Sequence, residues 1–385
     1  MDFDLGWILL GLPVAFVLGW LASRLDLRQM RIENRRAPKA YFKGLNYLLN
    51  EQQDQAIDAF IEAVQKDPDT TELHFALGNL FRRRGEYQRA VRVHEHLLSR
   101  ADLSAADRHR AQHDLALDFL KAGLLDRAED ALRKLEGTRY EAQALLALLA
   151  IYERSRDWPQ ATEIAQKLQD HGEGSFSGRM AHYLCEQAAT RNAAGDSEGA
   201  AQLLARAIIT APQAPRPRID QALMQLKAER PAEALHTLLE LASVAPQSVP
   251  LIASALAQTG SAAGQVPQAL AALQASYDSF ASLDVLDAIV ALEGAQGTQR
   301  EQARQRYLQH LEREQSLVAT ARWLAGEKLE HEEFHPQVQR AIEHATRPLT
   351  RYRCAACGFE AKQHFWQCPG CQAWDSYPPR RVEEL

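Results

Sequence analysis

Residues 44–57 read GLNYLLNEQQDQAI and residues 78–91 read GNLFRRRGEYQRAV. Gly44, Tyr47, Ala56 and Ile57 recur as Gly78, Phe81, Ala90 and Val91, and every spacing is 34 residues. That period, with small residues at the first and third of these places, predicts a repeated pair of helices. Gly44 or Gly78 lets the first helix of a pair approach its partner closely. Ala56 or Ala90 does the same from the second helix, and Tyr47 or Phe81 fills the space between. Pro68, after Phe60 and Ala63, ends the first unit because proline cannot continue a helix.

The pattern is that of a tetratricopeptide repeat. It continues with looser spacing. Ala116, Phe119, Gly123 and Ala128 form a third unit; Tyr152, Trp158 and Ala161 mark a fourth. Gly195, Ala200, Leu204, Ala207 and Pro212 mark a fifth, and Ala222, Ala234, Leu238 and Pro246 a sixth. Gly264, Ala269 and Leu273 mark a seventh, and a weaker pair falls between Ser282 and Gln315. With capping helices to Thr346, the array is expected over 37–346. The fold class is therefore all-α, a solenoid of repeats. Each repeat buries its face only against its neighbours, and such stacks leave a concave surface that binds peptides or proteins. Asn46, Asn50, Asn79, Arg82 and Arg83 are candidates for that surface; a solvated helix face is their plainer reading.

Behind the array stand Cys354-Ala-Ala-Cys357 and, after ten residues, Cys368-Pro-Gly-Cys371. Thiolates at that spacing can turn toward one tetrahedral ion. Gly358 supplies the φ > 0 that such a loop favours after its second Cys. Gln372 holds the matching place in the second pair, so strain or a different geometry is expected there. Tyr352, Phe359, Phe365, Trp366, Trp374 and Tyr377 form an apolar set around the four sulfurs. The segment 350–385 is too short for a self-sufficient core, and small modules of that size need a metal or disulfides. Metal ligation by Cys354, Cys357, Cys368 and Cys371 is the better reading. Zinc and iron both accept four thiolates, and spacing does not separate them. A closed four-thiolate site lacks the open position that catalysis needs. Two alternatives stay open. One is an iron centre that passes electrons; the other is a zinc ribbon reading nucleic acid through Arg347, Arg351, Arg353, Arg380 and Arg381. The segment resembles the rubredoxin-type metal-binding domain, though its gap is shorter than in true rubredoxins and its second pair lacks the glycine.

At the other end, Leu5–Ala22 reads LGWILLGLPVAFVLGWLA, an uncharged run of 18 residues. That is just long enough to span a bilayer, with Trp7 and Trp20 near its ends. The acidic Asp2 and Asp4 argue against a cleaved signal peptide. Residues 1–23 are thus expected to be a single anchor, and 24–36 a basic linker. Arg24, Arg28, Arg31, Arg35, Arg36, Lys39 and Lys43 follow the run, which places the N-terminus outside and the rest in the cytoplasm. A reducing cytoplasm favours metal over disulfide. The chain has 385 residues, 46% hydrophobic and 24% charged, with a net charge of −6, which gives no reason to expect general nucleic-acid binding.

Several motifs invite a catalytic reading and do not support one. His331-Glu-Glu-Phe-His335 has the His-Glu-x-x-His form of zinc peptidases. Pro336 biases His335 away from the continuous helix that chemistry needs. His94 falls at the inward position of a second helix, where a hydrogen-bonded core histidine is expected. Cys185 is expected to be a small buried apolar residue. There is no phosphate loop, dinucleotide fingerprint or Gly-x-Ser-x-Gly elbow, and no enzyme activity is expected.

Anchor, array and four-cysteine module in this order resemble the lipopolysaccharide assembly protein B family of Gram-negative bacteria. The resemblance spans the whole chain. It is sharpest at Tyr352-Arg-Cys354-x-x-Cys357-Gly358-Phe359 and at Trp366-x-Cys368-Pro369-x-Cys371-x-Ala373-Trp374. It implies a bacterial inner-membrane protein, single-pass, with a periplasmic N-terminus and a cytoplasmic body. It also implies a non-catalytic adaptor that restrains lipopolysaccharide (lipid A) synthesis by promoting proteolysis of the LpxC deacetylase by the FtsH protease. Further implied partners are a membrane regulator that senses lipopolysaccharide and other lipopolysaccharide assembly proteins. The metal ligands carry over to Cys354, Cys357, Cys368 and Cys371, and no catalytic residue does.

Overall fold

A computed structural model describes residues 39–66, 70–295, 300–325 and 335–385, with Phe16, Val17 and Trp20 besides. The rest of the apolar run Leu5–Ala22, the linker 24–36, Pro68 and His331 lie outside the described residues. Among the described residues no helix is long and apolar enough to cross a membrane. The chain divides after Ile151 into two compact units.

The first unit contains α1 (Lys39–Leu49), α2 (Gln53–Lys66), α3 (Thr71–Arg84), α4 (Tyr87–Ser99), α5 (Ala105–Ala122), α6 (Leu125–Arg133) and the start of α7 (Glu141–Ser155). From α1 to α6 each helix packs on the next, and α3 also packs on α5. The recurring residues make these contacts close. A Cβ on Gly44 would stand 2.8 Å from the Phe60 ring, and one on Gly78 would stand 2.5 Å from His94 Nε2. Both helix pairs can therefore nest only with glycine at these places. Ala56, Ile57, Phe60, Leu73, Leu77, Phe81 and Ala90 form one buried cluster across α2, α3 and α4. Ser104 starts α5 by accepting the Asp107 N–H at 3.1 Å, which satisfies one of the free donors of a helix end.

The candidate surface residues of this unit divide. Asn46 and Asn50 are exposed, and Asn50 Nδ2 donates to the Asn46 carbonyl at 3.0 Å. Arg83 is exposed. Arg82 is neither on a solvated face nor free for a partner. It donates to Asp114 Oδ1 and Asp118 Oδ1, both at 3.0 Å, and to Asn79. Asp118 is fully buried and also meets His94 Nδ1 at 2.5 Å. Arg82 is grouped with Asn79 and Arg83 by its polarity on the first helix of a pair, but the length of the guanidinium carries it inward to α5. His94 is the hydrogen-bonded core histidine expected from its position.

The second unit continues with the end of α7, then α8 (Trp158–Asp170), α9 (Ser177–Ala193), α10 (Ser197–Thr210), α11 (Pro215–Lys227), α12 (Pro231–Val244), α13 (Val249–Ala262), α14 (Val266–Ser279), α15 (Leu283–Ala295), α16 (Arg300–Arg313), α17 (Leu317–Ala325) and α18 (His335–Thr346). From α8 onward each helix packs on its successor. Trp158, Ala161, Ala200, Leu204, Ala207, Ala222, Ala234, Leu238, Ala269 and Leu273 are all buried. The loosely spaced residues of the later repeats thus face the same helix–helix seams as the strict ones. Cys185 is buried on α9, and burial pushes its thiol well up, as suits an inert apolar residue. His335 is the first residue of α18 with Pro336 beside it, a place where proline is tolerated. After α18 comes a small sheet, β1 (Tyr352–Arg353) paired antiparallel with β2 (Glu360–Ala361), Tyr352 opposite Ala361 and Arg353 opposite Glu360.

Candidate metal centre

The two Cys-x-x-Cys segments fold as copies of one turn. In the first, Gly358 N donates to the Cys354 carbonyl and Cys354 N donates to the Phe359 carbonyl, both at 2.9 Å. In the second, Gln372 N donates to the Cys368 carbonyl at 2.8 Å and Cys368 N to the Ala373 carbonyl at 2.9 Å. Gly358 has φ +78 and Gln372 φ +61. The expected difference between the turns is therefore one of strain, not geometry: Gln372 takes the left-handed conformation without glycine's freedom.

The turns bring four sulfurs together. All four Sγ atoms lie within 4.8 Å of one another. Cys354 Sγ is 3.8 Å from Cys371 Sγ, and Cys357 Sγ is 3.7 Å from Cys368 Sγ. A tetrahedral ion with metal–sulfur bonds of about 2.3 Å separates its ligands by about 3.8 Å, whereas a disulfide would bring two sulfurs to about 2.05 Å. The residues present fit a four-thiolate metal and not two disulfides. The Ser376 hydroxyl lies 3.3 Å from Cys354 Sγ and helps hold that thiol down, at about 6. Cys354 and Cys368 are buried while Cys357 and Cys371 face outward.

Around the sulfurs the aromatic set splits by task. Tyr352 and Tyr377 pack with Cys354 and Cys368 into one buried cluster, against Leu251 of α13 and against Phe365. Tyr377 Oη donates to the Phe359 carbonyl at 3.2 Å. Phe359 itself is largely exposed. Trp374 packs on residues of α8 and α9. Its ring stacks on His182 at 4.8 Å and meets Trp158 and Tyr183 edge-on at 6.1 and 5.8 Å. Its Nε1 donates to Glu153 Oε1 at 2.9 Å. His182 Nε2 donates to Asp375 Oδ1 at 2.8 Å.

A second attachment is made by the chain end. Arg381 donates to both oxygens of Asp284 on α15, at 2.7 and 3.0 Å, and lies over the Tyr352 ring at 4.0 Å. Glu384 accepts the Leu283 N–H at 2.7 Å. Glu383 takes the start of α17, accepting from Ser316 Oγ at 2.8 Å and from the Leu317 and Val318 N–H groups at 2.6 and 3.1 Å. A carboxylate there answers the positive end of the helix. Arg380 lies 3.7 Å from the centre of the Phe280 ring. Most of the arginines offered as a nucleic-acid surface are thus engaged internally: Arg380 on Phe280, Arg381 on Asp284, and Arg353 on Glu360 at 2.8 Å.

The clustering of the four cysteines was legible in the sequence; the seat of the module was not. Glu153, His182, Asp284, Glu383 and Glu384 carry no spacing signal, because each meets its partner only after the chain folds back. A weak signal lay in Trp374, an aromatic placed beside a site already filled by two tyrosines.

The chain has clear relatives. Residues 352–378 match the family model described as rubredoxin metal binding domain, and residues 43–95 match that described as tetratricopeptide repeat. Lipopolysaccharide assembly protein B of Escherichia coli (strain K12) is 31% identical over 381 residues, covering 96% of this chain and 97% of that protein. The protein of the same name from Haemophilus influenzae is 24% identical, covering 97% of this chain and 98% of that protein. A solved tetratricopeptide repeat protein from Parabacteroides merdae covers 66% of this chain and 98% of its own, at 14% identity and a TM-score of 0.33.

Proposed function

Since this chain belongs to the lipopolysaccharide assembly protein B family, we propose that it is a membrane-anchored cytoplasmic adaptor that regulates lipopolysaccharide synthesis by promoting FtsH proteolysis of the LpxC deacetylase. In this reading it also gathers lipopolysaccharide assembly proteins and answers to a membrane regulator that senses lipopolysaccharide. Leu5–Ala22 anchors it in the inner membrane with the N-terminus periplasmic, and the basic residues of 24–43 keep the body in the cytoplasm.

The observation that carries the reading is the double attachment of the four-cysteine module, through Trp374 to Glu153 and to the rings of α8 and α9, and through Arg381 to α15. An independent electron carrier needs no such seat; an adaptor that presents one continuous surface does. Cys354, Cys357, Cys368 and Cys371 hold one ion, zinc or iron. When bound, it supplies a cross-link between the two turns that so short a segment needs in order to fold. Tyr352 and Tyr377 shield the inner sulfurs, and Ser376 shares the charge on Cys354. Tethering then acts through effective concentration: a substrate held beside a membrane protease meets it as if within one molecule.

The test is the lifetime of the deacetylase after synthesis is blocked, in cells carrying the intact chain or a Cys354→Ser/Cys357→Ser variant. The variant is expected to lengthen it several-fold. An unchanged lifetime in a strain lacking the chain altogether would falsify the reading. Topology is checked separately with reporter fusions at either end of Leu5–Ala22.

A further inference from the structure

Where the metal module meets α15 and α17 there is a cavity of about 620 Å³. Five cations line it, Arg322, Arg347, Arg351, Lys362 and Arg381, against three carboxylates, Asp284, Asp287 and Glu383. The cavity is thus net positive in a chain whose net charge is −6. The carboxylates are already answered. Asp284 has both oxygens on Arg381; Asp287 accepts from Tyr307 Oη at 2.6 Å and from Arg322 at 3.2 Å; Glu383 is taken by the start of α17.

The cations are not all answered. Among the described residues, neither the Arg347 guanidinium nor the Lys362 ammonium has an acceptor within hydrogen-bond distance. Arg351 reaches only Glu360, at 3.6 Å, and that carboxylate is held more closely by Arg353 at 2.8 Å. Three positive groups from α18's end, the strand approach and the sheet therefore line one hollow without close partners. The hollow also has apolar walls, Leu283, Val318 and Leu349. Past the Arg381–Asp284 pair lies a second cavity of about 600 Å³ that shares Asp284, Asp287 and Arg381 with the first. Its lining is small and apolar or hydroxylic, including Leu251, Ser254, Ala257, Ser261 and Ala291.

We propose that this paired cavity is a docking site for an acidic peptide segment of a protein partner, with carboxylates on Arg347, Arg351 and Lys362 and an apolar side chain in the second hollow. Charge complementarity selects the acid, and the guanidinium fork suits a carboxylate. The extent of the two hollows selects an extended chain over a single small anion. The proposal rests on the adaptor reading and names one partner surface within it.

The probe is a fluorescein-labelled peptide of alternating Glu and Leu, blocked at both ends, added to the purified full chain with its metal. Polarisation is expected to show saturable binding that weakens at least about tenfold in Arg347→Gln/Lys362→Gln and weakens steeply with salt. An exposed control, Arg206→Gln on α10, should leave it unchanged. Both altered residues are exposed, and unchanged metal content checks that the module still folds. Equal binding of the Gln-for-Glu peptide, or no loss in the double variant, overturns the proposal. So does displacement of the peptide by inorganic phosphate at equal concentration, or capture of phosphatidylglycerol vesicles through the same two residues. If the double variant leaves both peptide binding and recovery of assembly partners intact, this site is wrong and the adaptor stands; if the intact chain recovers no partner, the adaptor reading itself fails.

Discussion

Gln372 shows how one residue can be wrong for its conformation and still be held in it. Its N–H closes the second cysteine turn, so the backbone adopts φ +61 whatever the side chain. A left-handed non-glycine residue costs roughly 1–2 kcal/mol. Gln372→Gly should therefore stabilise the metal-loaded chain by about 1 kcal/mol, read as a higher denaturant midpoint by tryptophan fluorescence at Trp366 and Trp374; a lower midpoint would contradict the strain. His310 offers a pH test. Burial holds its pKa below the ordinary value, outweighing the neighbouring Glu314 and Glu383, and its Nδ1 meets Tyr277 Oη at 2.7 Å. As pH falls through about 6.5 the unfolded chain takes up the proton first. The contribution of His310 is thus full above that pH and is lost as the solution becomes more acid. His310→Gln should flatten the dependence of the second unit's stability between neutral and mildly acid pH, followed by hydrogen exchange in α14 and α16.

Between helices, the contrast of Arg82 and Arg83 separates a structural charge from a solvated one. Removing Arg82 leaves Asp118 buried with only His94 for company. Losing one partner of a buried ion pair costs about 3–5 kcal/mol, so Arg82→Ala should lower the first unit's stability by about 3 kcal/mol, while Arg83→Ala should change it by under about 0.5 kcal/mol. Urea unfolding of the two variants measures the difference; equal effects would place Arg82 on the surface after all. The helix period could not make this distinction, since it fixes the direction of each Cα–Cβ bond and not where a long guanidinium ends. The strict repeat was legible for a different reason. Gly44 and Gly78 are forced by contact with Phe60 and His94, so the sequence has almost no freedom there. The later repeats meet their neighbours through alanine and leucine, which many helices use, and their spacing drifts accordingly. Trp374 belongs to this scale too. Trp374→Ala removes its contacts with Trp158, Tyr183 and His182 and leaves Glu153 without its indole donor. Large-to-small changes of this kind cost about 3 kcal/mol or more. Metal content should be kept while limited proteolysis after Thr350 becomes faster; unchanged cleavage would mean the seat does not hold the module.

In the whole molecule the C-terminal segment meets the middle of the chain. The four sulfurs could be read from two short motifs because metal ligation needs only local spacing. The seat could not, because Trp374 and Glu153 are 221 residues apart, as are His182 and Asp375 by 193. Through that seat the fold of the four-cysteine module becomes a condition on the surface it forms with α8, α9 and α15, rather than a feature of the last residues alone. The most direct measurement is a pulldown from solubilised membranes that compares the intact chain with Cys354→Ser/Cys357→Ser, with metal content determined on the same samples. The variant is expected to lose its metal and, with it, the lipopolysaccharide assembly partners recovered by the intact chain. A metal-free variant that recovers the same partners in the same amounts would contradict the central claim.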